Sequence, residues 1–306
     1  MDNNISSSGV QQQLNNGGKA LYKLLPVAIA ITLVNGLVFV IFYRKKALRT
    51  TSNYLLLSLA ICDFLTGTIN IPYLILYSFQ VEPLVTTVIF HYGMYILHNL
   101  MAVSAAYHIL AITAEKYLAI IRPLRHYLVT KKTVWKILLG IWITSAFIAV
   151  IPISWDKSKS SLVWYIIHAI LCIVLVFLVP YTFMLYAFTA MFKVISKRKR
   201  PSINRKLQRK NISDQKCVLV FALMAAIFAV CWLPYFGLML VIYVKHYLKS
   251  GTALIDKAVE AFVIIRYMTS IANPLLYTFF KRDFRMALRK RPLTRSATIP
   301  LKSTST

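Results

Sequence analysis

The chain has 306 residues, 58% of them hydrophobic, and its mean hydropathy is +0.63. This composition is too apolar for a soluble domain of ordinary layered architecture. The formal net charge of +27 could indicate a nucleic-acid partner, but the basic residues are confined to particular loops, which argues against one. The sequence shows no metal-ligand cluster, nucleophile–base set or phosphate loop, so we expect neither an enzyme nor a cofactor.

Seven long apolar stretches follow one another along the chain. Each is at least as long as the roughly 20 residues that a helix needs to cross the hydrocarbon core of a bilayer. Backbone polar groups cannot remain unpaired in lipid, so each stretch should be a helix. The sequence therefore predicts an all-α membrane protein, a seven-transmembrane helix bundle over 24–280, with spans at 24–43, 54–77, 88–118, 134–153, 162–192, 217–244 and 259–280.

The loops between these stretches are alternately strongly basic and nearly uncharged. Basic residues crowd the loops after the first, third and fifth stretches and the segment after residue 280. Lysine and arginine in short loops are retained in the cytoplasm, so we predict a multi-pass plasma-membrane protein with an extracellular N-terminus and a cytoplasmic C-terminus. The same charges would attract anionic inner-leaflet lipids. The basic run 193–216 is interpreted as a solvated helix extension, a partner-docking surface, or both.

The segments outside the bundle are short and polar. Residues 1–23 are predicted to be an extracellular disordered tail, with a glycosylation sequon at Asn4. Residues 281–291 place apolar side chains at spacings of three and four, which predicts an amphipathic helix on the membrane surface. Residues 292–306 are predicted to be a Ser/Thr-rich cytoplasmic tail open to phosphorylation. All four cysteines lie within or at the edges of the apolar stretches, so no extracellular disulfide is expected.

Asp63 is a carboxylic acid within the second stretch. Such a residue costs about 2.5–3.5 kcal/mol at the centre of a membrane helix, so it should face the bundle interior, where Asn35, Ser270 and Asn273 are candidate partners. Two interpretations stay open: a structural hydrogen-bond cluster, or a sodium- or proton-sensitive switch. Prolines also interrupt five stretches and would bend them: Pro72, Pro152, Pro180, Pro234 and Pro274.

Several short motifs occur in register with the predicted helices. They are Asp63 in a Leu-Ala-x-x-Asp setting, Trp142, the run Cys231-Trp232-Leu233-Pro234, and the run Asn273-Pro274-Leu275-Leu276-Tyr277. Together they resemble the rhodopsin-like (class A) G-protein-coupled receptors over residues 24–290. The alternative is a seven-helix membrane transporter or channel, but this sequence lacks the repeated halves that many transporters show.

The resemblance implies a cell-surface receptor. Such a receptor converts binding of an extracellular small molecule or short peptide into activation of a heterotrimeric G protein, by outward movement of helix six. Arrestin and a receptor kinase would be further partners at the C-terminal tail. No nucleic-acid partner is expected.

Glu115-Lys116-Tyr117 resembles the family's Asp-Arg-Tyr motif at the inner end of helix three. By that resemblance Lys116 would form an ion pair with Asp214 on helix six in the inactive state, and basal signalling should be elevated because lysine lacks arginine's bidentate fork. Ala105 stands where the family has a serine sodium ligand, which removes one expected sodium ligand near Asp63. The switch residues so implied are Asp63, Glu115, Lys116, Tyr117, Asp214, Phe228, Trp232, Asn273, Pro274 and Tyr277.

Outer-half positions that face the bundle form the predicted ligand site. His98 stands where amine receptors carry an aspartate, so a typical biogenic amine is not expected; it is a satisfied interior histidine, a ligand contact or a pH sensor. Arg266 either pairs with Asp63 or carbonyl groups, or binds an anionic group of the ligand. The predicted binding residues are Tyr95, His98, Asn99, Ala102, Cys172, Trp232, Tyr235, Phe236, Met239, Val263, Arg266 and Tyr267.

Overall fold

The computed structural model describes residues 7–79, 88–155, 161–198, 205–251, 253–281 and 284–286. Within these ranges, seven helices are long and apolar enough to cross a membrane, which confirms the predicted all-α, seven-helix bundle. A short helix, Pro123–Tyr127, follows the third of them. The seven are α1 Ser7–Arg44, α2 Thr51–Ser78, α3 Val88–Ile121, α4 Lys131–Val150, α5 Leu162–Lys197, α6 Arg205–Tyr247 and α7 Ala253–Phe280.

The central helix of the bundle is α3. It packs against α2, α4, α5 and α6, and its buried side chains belong to one continuous apolar core. The outward faces of the bundle are apolar as well, because hydrocarbon tails are as apolar as leucine. Leu33, Ile143, Leu185 and Val230 are examples, each more than half exposed. We call the end at which α1 begins the N-terminal end, and the end with Arg44 the basic end.

The first helix begins well before the apolar stretch that predicts it. A disordered tail is predicted over 1–23, whereas the structure is helical from Ser7. Hydropathy predicts only the part of a helix that lies in hydrocarbon, so it does not predict the polar first turns of α1. Lys23 forms an ion pair of 2.6 Å with Glu260 on α7, which ties the extension to the bundle. The sequon at Asn4 lies outside the described residues.

The helices α5 and α6 both continue into the basic segment 193–216. Part of that segment is therefore the helix extension that the sequence predicts. The side-chain Nδ2 of Asn211 in α6 donates to the backbone carbonyl of Arg198 after α5, over 2.9 Å. This contact joins the two helices where they leave the apolar core.

Little of the chain beyond α7 is described. Of the predicted surface helix over 281–291, Phe284 is buried, and its ring centroid lies 5.3 Å from that of Tyr277. An apolar side chain therefore faces the bundle at this point. Residues 284–286 are helical, and residues 282–283 and 287–306 lie outside the described residues, so the remainder of the surface helix and the tail over 292–306 stay predictions.

Two membrane helices contain a widened, π-helical turn. These turns are Thr66–Asn70 in α2 and Ile173–Leu178 in α5. Each is followed within two residues by a proline, Pro72 or Pro180. Proline has no N–H to donate to the preceding turn, and a wider turn accommodates the missing bond without breaking the helix.

Helices α1 and α2 approach each other closely at Gly67. A Cβ atom built at this position would lie 2.9 Å from the carbonyl oxygen of Ala28 and 2.7 Å from the hydroxyl oxygen of Thr32. Because the first of these is a backbone atom, a larger residue would require α1 to move. Glycine therefore permits the packing of these two helices.

Gly67→Ala is expected to lower the melting temperature of the purified protein, because overpacking of this kind costs about 1–3 kcal/mol. Gly140→Ala in α4 is the matched control, since nothing lies within 4 Å of a Cβ built there and alanine favours a helix by roughly 0.5–1 kcal/mol. Thermal unfolding in detergent would compare the two variants. Equal melting temperatures would show that the close approach contributes nothing.

Candidate ligand site and switch residues

A cavity of about 410 Å³ opens between the helices near the N-terminal end. This volume falls within the range of small-molecule sites. Six of its lining residues are tyrosines. The lining residues are Leu74, Tyr77, Tyr92, Met94, Tyr95, His98, Tyr165, Tyr235, Met239, Tyr243, Val263 and Arg266.

Half of the predicted ligand residues line this cavity: Tyr95, His98, Tyr235, Met239, Val263 and Arg266. The other half are buried and do not line it: Asn99, Ala102, Cys172, Trp232, Phe236 and Tyr267. Sequence reasoning missed six lining residues: Leu74, Tyr77, Tyr92, Met94, Tyr165 and Tyr243. Helical spacing could have found the last of these, which lies one turn beyond Met239.

Arg266 in α7 is the only arginine among the lining residues described. It is 1% exposed, and its Cζ lies 4.2 Å from the ring centroid of Tyr235 and 4.7 Å from that of Tyr267. Its Nη1 lies 2.5 Å from Nε2 of His98, and its Nη2 donates to the Tyr267 hydroxyl over 3.1 Å. Of the alternatives for Arg266, a pair with Asp63 is not among its contacts: its partners are His98, the Tyr267 hydroxyl and aromatic rings, and binding of an anionic ligand group stays a prediction.

The contact with Arg266 determines the protonation state of His98. A guanidinium group can only donate, so Nε2 of His98 accepts and the neutral ring carries its proton on Nδ1. Nδ1 of His98 and Nε of Arg266 are both buried without a hydrogen-bond partner. Among the described residues, no carboxylate lies within 4.0 Å of the guanidinium. Among the described residues, these two buried N–H donors therefore have no acceptor, and the guanidinium has no counter-ion.

An aromatic column leads from the cavity wall into the middle of α6. The His98 ring stacks on Trp232 at 5.3 Å between centroids, and Trp232 stacks on Phe228 at 5.6 Å. Phe228 in turn stacks on Phe177 of α5 at 5.8 Å. Trp232 is also held from α7, because its Nε1 donates to the hydroxyl of Thr269 over 3.2 Å. A change at His98 therefore reaches α6 directly.

Asp63 lies buried at the centre of the bundle. Its Oδ2 accepts a hydrogen bond of 3.2 Å from Nδ2 of Asn273. Nδ2 of Asn35 donates to the backbone carbonyl of Ser270 over 3.0 Å. Of the predicted partners, Asn273 and Ser270 bond to the carboxyl group, whereas Asn35 binds the backbone of Ser270. The switch roles of Asp63, of Pro274 and of the buried Tyr277 beside this cluster stay predictions.

Glu115 organises the polar contacts at the basic end. Its Oε1 accepts from the Ser52 hydroxyl over 2.5 Å and lies 2.7 Å from Nε2 of His126, while its Oε2 lies 2.7 Å from the ammonium of Lys116. Sequence reasoning missed Ser52 and His126, because they come from α2 and from the short helix after α3. The adjacent Tyr117 places its hydroxyl 3.5 Å from that of a tyrosine in α5.

The predicted ion pair between Lys116 and Asp214 is not among the contacts that the structure shows. Lys116 forms its ion pair with Glu115 instead, which is its neighbour in the chain. Asp214 lines a cavity of about 410 Å³ at the basic end together with Lys116, Arg198 and Lys210. The carboxylate therefore lies among three cations, and a direct pair in another state stays a prediction.

Two further buried histidines connect helices. Nε2 of His108 lies 2.8 Å from the Ser58 hydroxyl, to which Nε1 of Trp142 also donates, so α2, α3 and α4 meet at one hydroxyl group. Nδ1 of His168 lies 2.8 Å from the hydroxyl of Tyr95, and its Nε2 lies 2.9 Å from a carbonyl of α4. The sequence could have predicted both contacts, because a histidine inside an apolar stretch needs a hydrogen-bond partner.

Comparison with known proteins agrees with this geometry. Residues 34–277 match the seven-transmembrane receptors of the rhodopsin family. The chain belongs to this family. Its membership supports the expectation that the protein is a receptor rather than an enzyme.

Three relatives illustrate the range of receptors to which the chain is similar. It is 23% identical to the tachykinin-like peptides receptor 86C of Drosophila melanogaster, over 84% of this chain and 55% of the relative. It is 26% identical to the histamine H2 receptor of Canis lupus familiaris, over 90% and 80% of the two chains. It is 28% identical to the trace amine-associated receptor 2 of Rattus norvegicus, over 88% and 84%. The chain thus spans little more than half the length of the first of these.

Tyr267→Phe removes the hydroxyl that accepts a hydrogen bond from Arg266. A buried donor left without a partner costs about 1–3 kcal/mol, so the melting temperature of the purified receptor should fall. Tyr247→Phe is the control, because that side chain is 58% exposed at the end of α6. Equal melting temperatures for the two variants would contradict the role of Tyr267 as a partner of the guanidinium.

Proposed function

We propose that this receptor binds an extracellular small molecule or short peptide in the cavity near its N-terminal end and activates a heterotrimeric G protein at its basic end. The receptor would lie in the plasma membrane with its N-terminus outside, because the basic loops all follow helices that end at the basic end. The observation that carries the proposal is the aromatic column from His98 through Trp232 to Phe228, which joins the cavity wall to α6.

The column offers a physical route to outward movement of α6. Pro234 lies inside this helix, two residues from Trp232, and removes one of the backbone hydrogen bonds there. The Tyr181 hydroxyl of α5 donates to the carbonyl of Ala225 in α6 over 2.6 Å, so α6 is held against α5 below the column. A ligand activates the receptor only if it binds the open packing more tightly than the closed one.

The charge of the cavity wall bears on the class of ligand. By their names, three relatives are receptors for tachykinin-like peptides, for histamine and for trace amines. In this receptor, an amine at the level of His98 would meet the guanidinium of Arg266. Like charges repel, and this interaction would select against an ammonium group. A typical biogenic amine is therefore not the proposed ligand.

The basic end supplies the surface for intracellular partners. The cavity between Lys116, Arg198, Lys210 and Asp214 lies between the ends of α3, α5 and α6, where separation of α6 would admit a G protein. Basic side chains around it would also bind anionic lipids of the inner leaflet. Arrestin and a receptor kinase are proposed partners of the C-terminal tail.

Cells expressing the full chain should activate at least one class of G protein when challenged with a library of metabolites and short peptides. The assay is a panel of G-protein activation sensors, with untransfected cells as the control. The alternative function, a transporter or channel, is tested by solute and ion flux into vesicles that contain the purified protein. Flux without activation of any G protein would overturn the proposed function.

Asp214→Ala is expected to raise ligand-free G-protein activation several-fold, because the carboxylate would no longer hold the cations of α3 and α5 against α6. Asp214→Asn is the matched variant: it keeps the shape of the side chain, removes its charge, and should have a similar effect. Activity is measured per receptor at the cell surface. Unchanged basal activity in both variants would show that Asp214 does not stabilise the inactive state.

A further inference from the structure

We infer that the ligand carries a carboxylate, which replaces His98 as the hydrogen-bond partner of Arg266. This inference rests on the proposed function, since it names the ligand class of the same cavity. It depends on the charge balance of the wall, on the hydrogen bonds that the guanidinium makes and lacks, and on the position of His98 between Arg266 and Trp232.

The charge of Arg266 is not balanced by any described residue. The described lining residues include no carboxylate, and two described acidic groups on the helices around the cavity have other partners. Glu260 pairs with Lys23, and Asp63 accepts from Asn273. The surrounding aromatic rings stabilise a cation, but they carry no net charge. A buried arginine without a counter-ion is costly, so an anion entering the cavity gains a favourable interaction.

The hydrogen bonds of Arg266 leave room for a stronger acceptor. Nη1 is directed at a neutral imidazole nitrogen of His98, and Nε has no partner. A carboxylate accepts charge-assisted hydrogen bonds that are roughly twice as strong as those between neutral groups, and it matches the planar fork of arginine. A carboxylate can therefore displace His98 from Nη1.

The aromatic side chains on the rest of the cavity wall indicate the chemistry of the rest of the ligand. Tyr165 and Tyr243 stack on each other at 5.8 Å between ring centroids, and Tyr95 contacts Tyr165 edge-on. Such a wall fits an aromatic or aliphatic body. The volume of about 410 Å³ limits that body to the size of a small organic acid.

A second cavity supplies an approach for an anion. It has a volume of about 490 Å³, lies among α1, α2 and α7, and shares Leu74, Tyr77 and Val263 with the first cavity. Lys19, Lys23 and Glu260 lie on its wall, and Glu260 pairs with Lys23, so Lys19 gives this wall its net positive charge. A basic side chain beside a cleft raises the local concentration of anions.

Displacement of His98 also connects binding to the switch. The His98 ring is stacked on Trp232, so its release from Arg266 frees one side of the aromatic column. A carboxylate ligand would thereby change the packing of α6, whereas the matching amide, without the charge, would not compete with His98.

The test measures thermal stabilisation of the full chain in lipid nanodiscs, which needs no G protein. The probes are acetate, phenylacetate and indole-3-acetate, each compared with its primary amide at constant ionic strength. We expect the acids to raise the melting temperature in a saturable way, phenylacetate and indole-3-acetate at lower concentrations than acetate, and the amides to have no effect. Stabilisation by neither series, or by acids and amides equally, would overturn the inference.

Variants locate the effect. Arg266→Gln should abolish stabilisation by the acids, and Arg266→Lys should raise their half-saturating concentration about tenfold, because lysine lacks the fork. Lys136→Gln removes an exposed charge from α4 and should respond like the wild type. If Arg266→Gln does not fold, Arg266→Lys and the comparison of acids with amides still test the carboxylate site. Equal stabilisation of Arg266→Gln and the wild type would refute the site.

The inference and the proposed function fail separately. Carboxylate-dependent stabilisation without activation of any G protein would contradict the proposed function alone. Activation by a ligand without a carboxylate, with wild-type potency in Arg266→Gln, would contradict the carboxylate site alone.

Discussion

The hydrocarbon interior of the membrane offers no hydrogen-bond partner, and the rest of this structure follows from that constraint. Each backbone group in a span must bond within its own helix, so the seven apolar stretches are helices whether or not their residues favour helix. Polar side chains must then find partners within the bundle. For this reason the buried Asn35 of α1 bonds to the backbone of α7, and the buried Asp63 of α2 bonds to Asn273 of α7.

The same constraint explains why one buried charge has several partners at the proposed ligand site. Arg266 lies on α7, contacts His98 on α3 and packs against Tyr235 on α6. A guanidinium with few alternatives holds three helices together, and a change in its bonding is felt by all three. Because the His98 ring also stacks on Trp232, the proposed ligand site and the proposed α6 switch share one side chain. Under the proposed function, binding of a ligand at Arg266 would change the packing of α6 directly.

At the basic end, Glu115-Lys116-Tyr117 stands where the family has its Asp-Arg-Tyr motif, and its contacts differ from the predicted ones. Lys116 is paired with Glu115, which is also held by Ser52 from α2 and by His126 from the short helix after α3. A lysine ammonium lacks the planar fork with which arginine binds a carboxylate bidentately, and here it pairs with the adjacent Glu115. Asp214 is left among several cations rather than in one geometrically defined pair. The contacts at the basic end are therefore made by a cluster of charged side chains.

Length and hydropathy alone determined the seven spans, because crossing a bilayer is a local property of about 20 consecutive residues. They also singled out Asp63 and Arg266, since a charge within such a stretch is conspicuous in any window. Only the tertiary structure decided the partners: His98 rather than Asp63 for Arg266, Glu115 for Lys116, and the helical course of the chain from Ser7. Partners depend on how each helix is rotated and how far its side chains reach across the bundle, and a one-dimensional pattern carries no record of either.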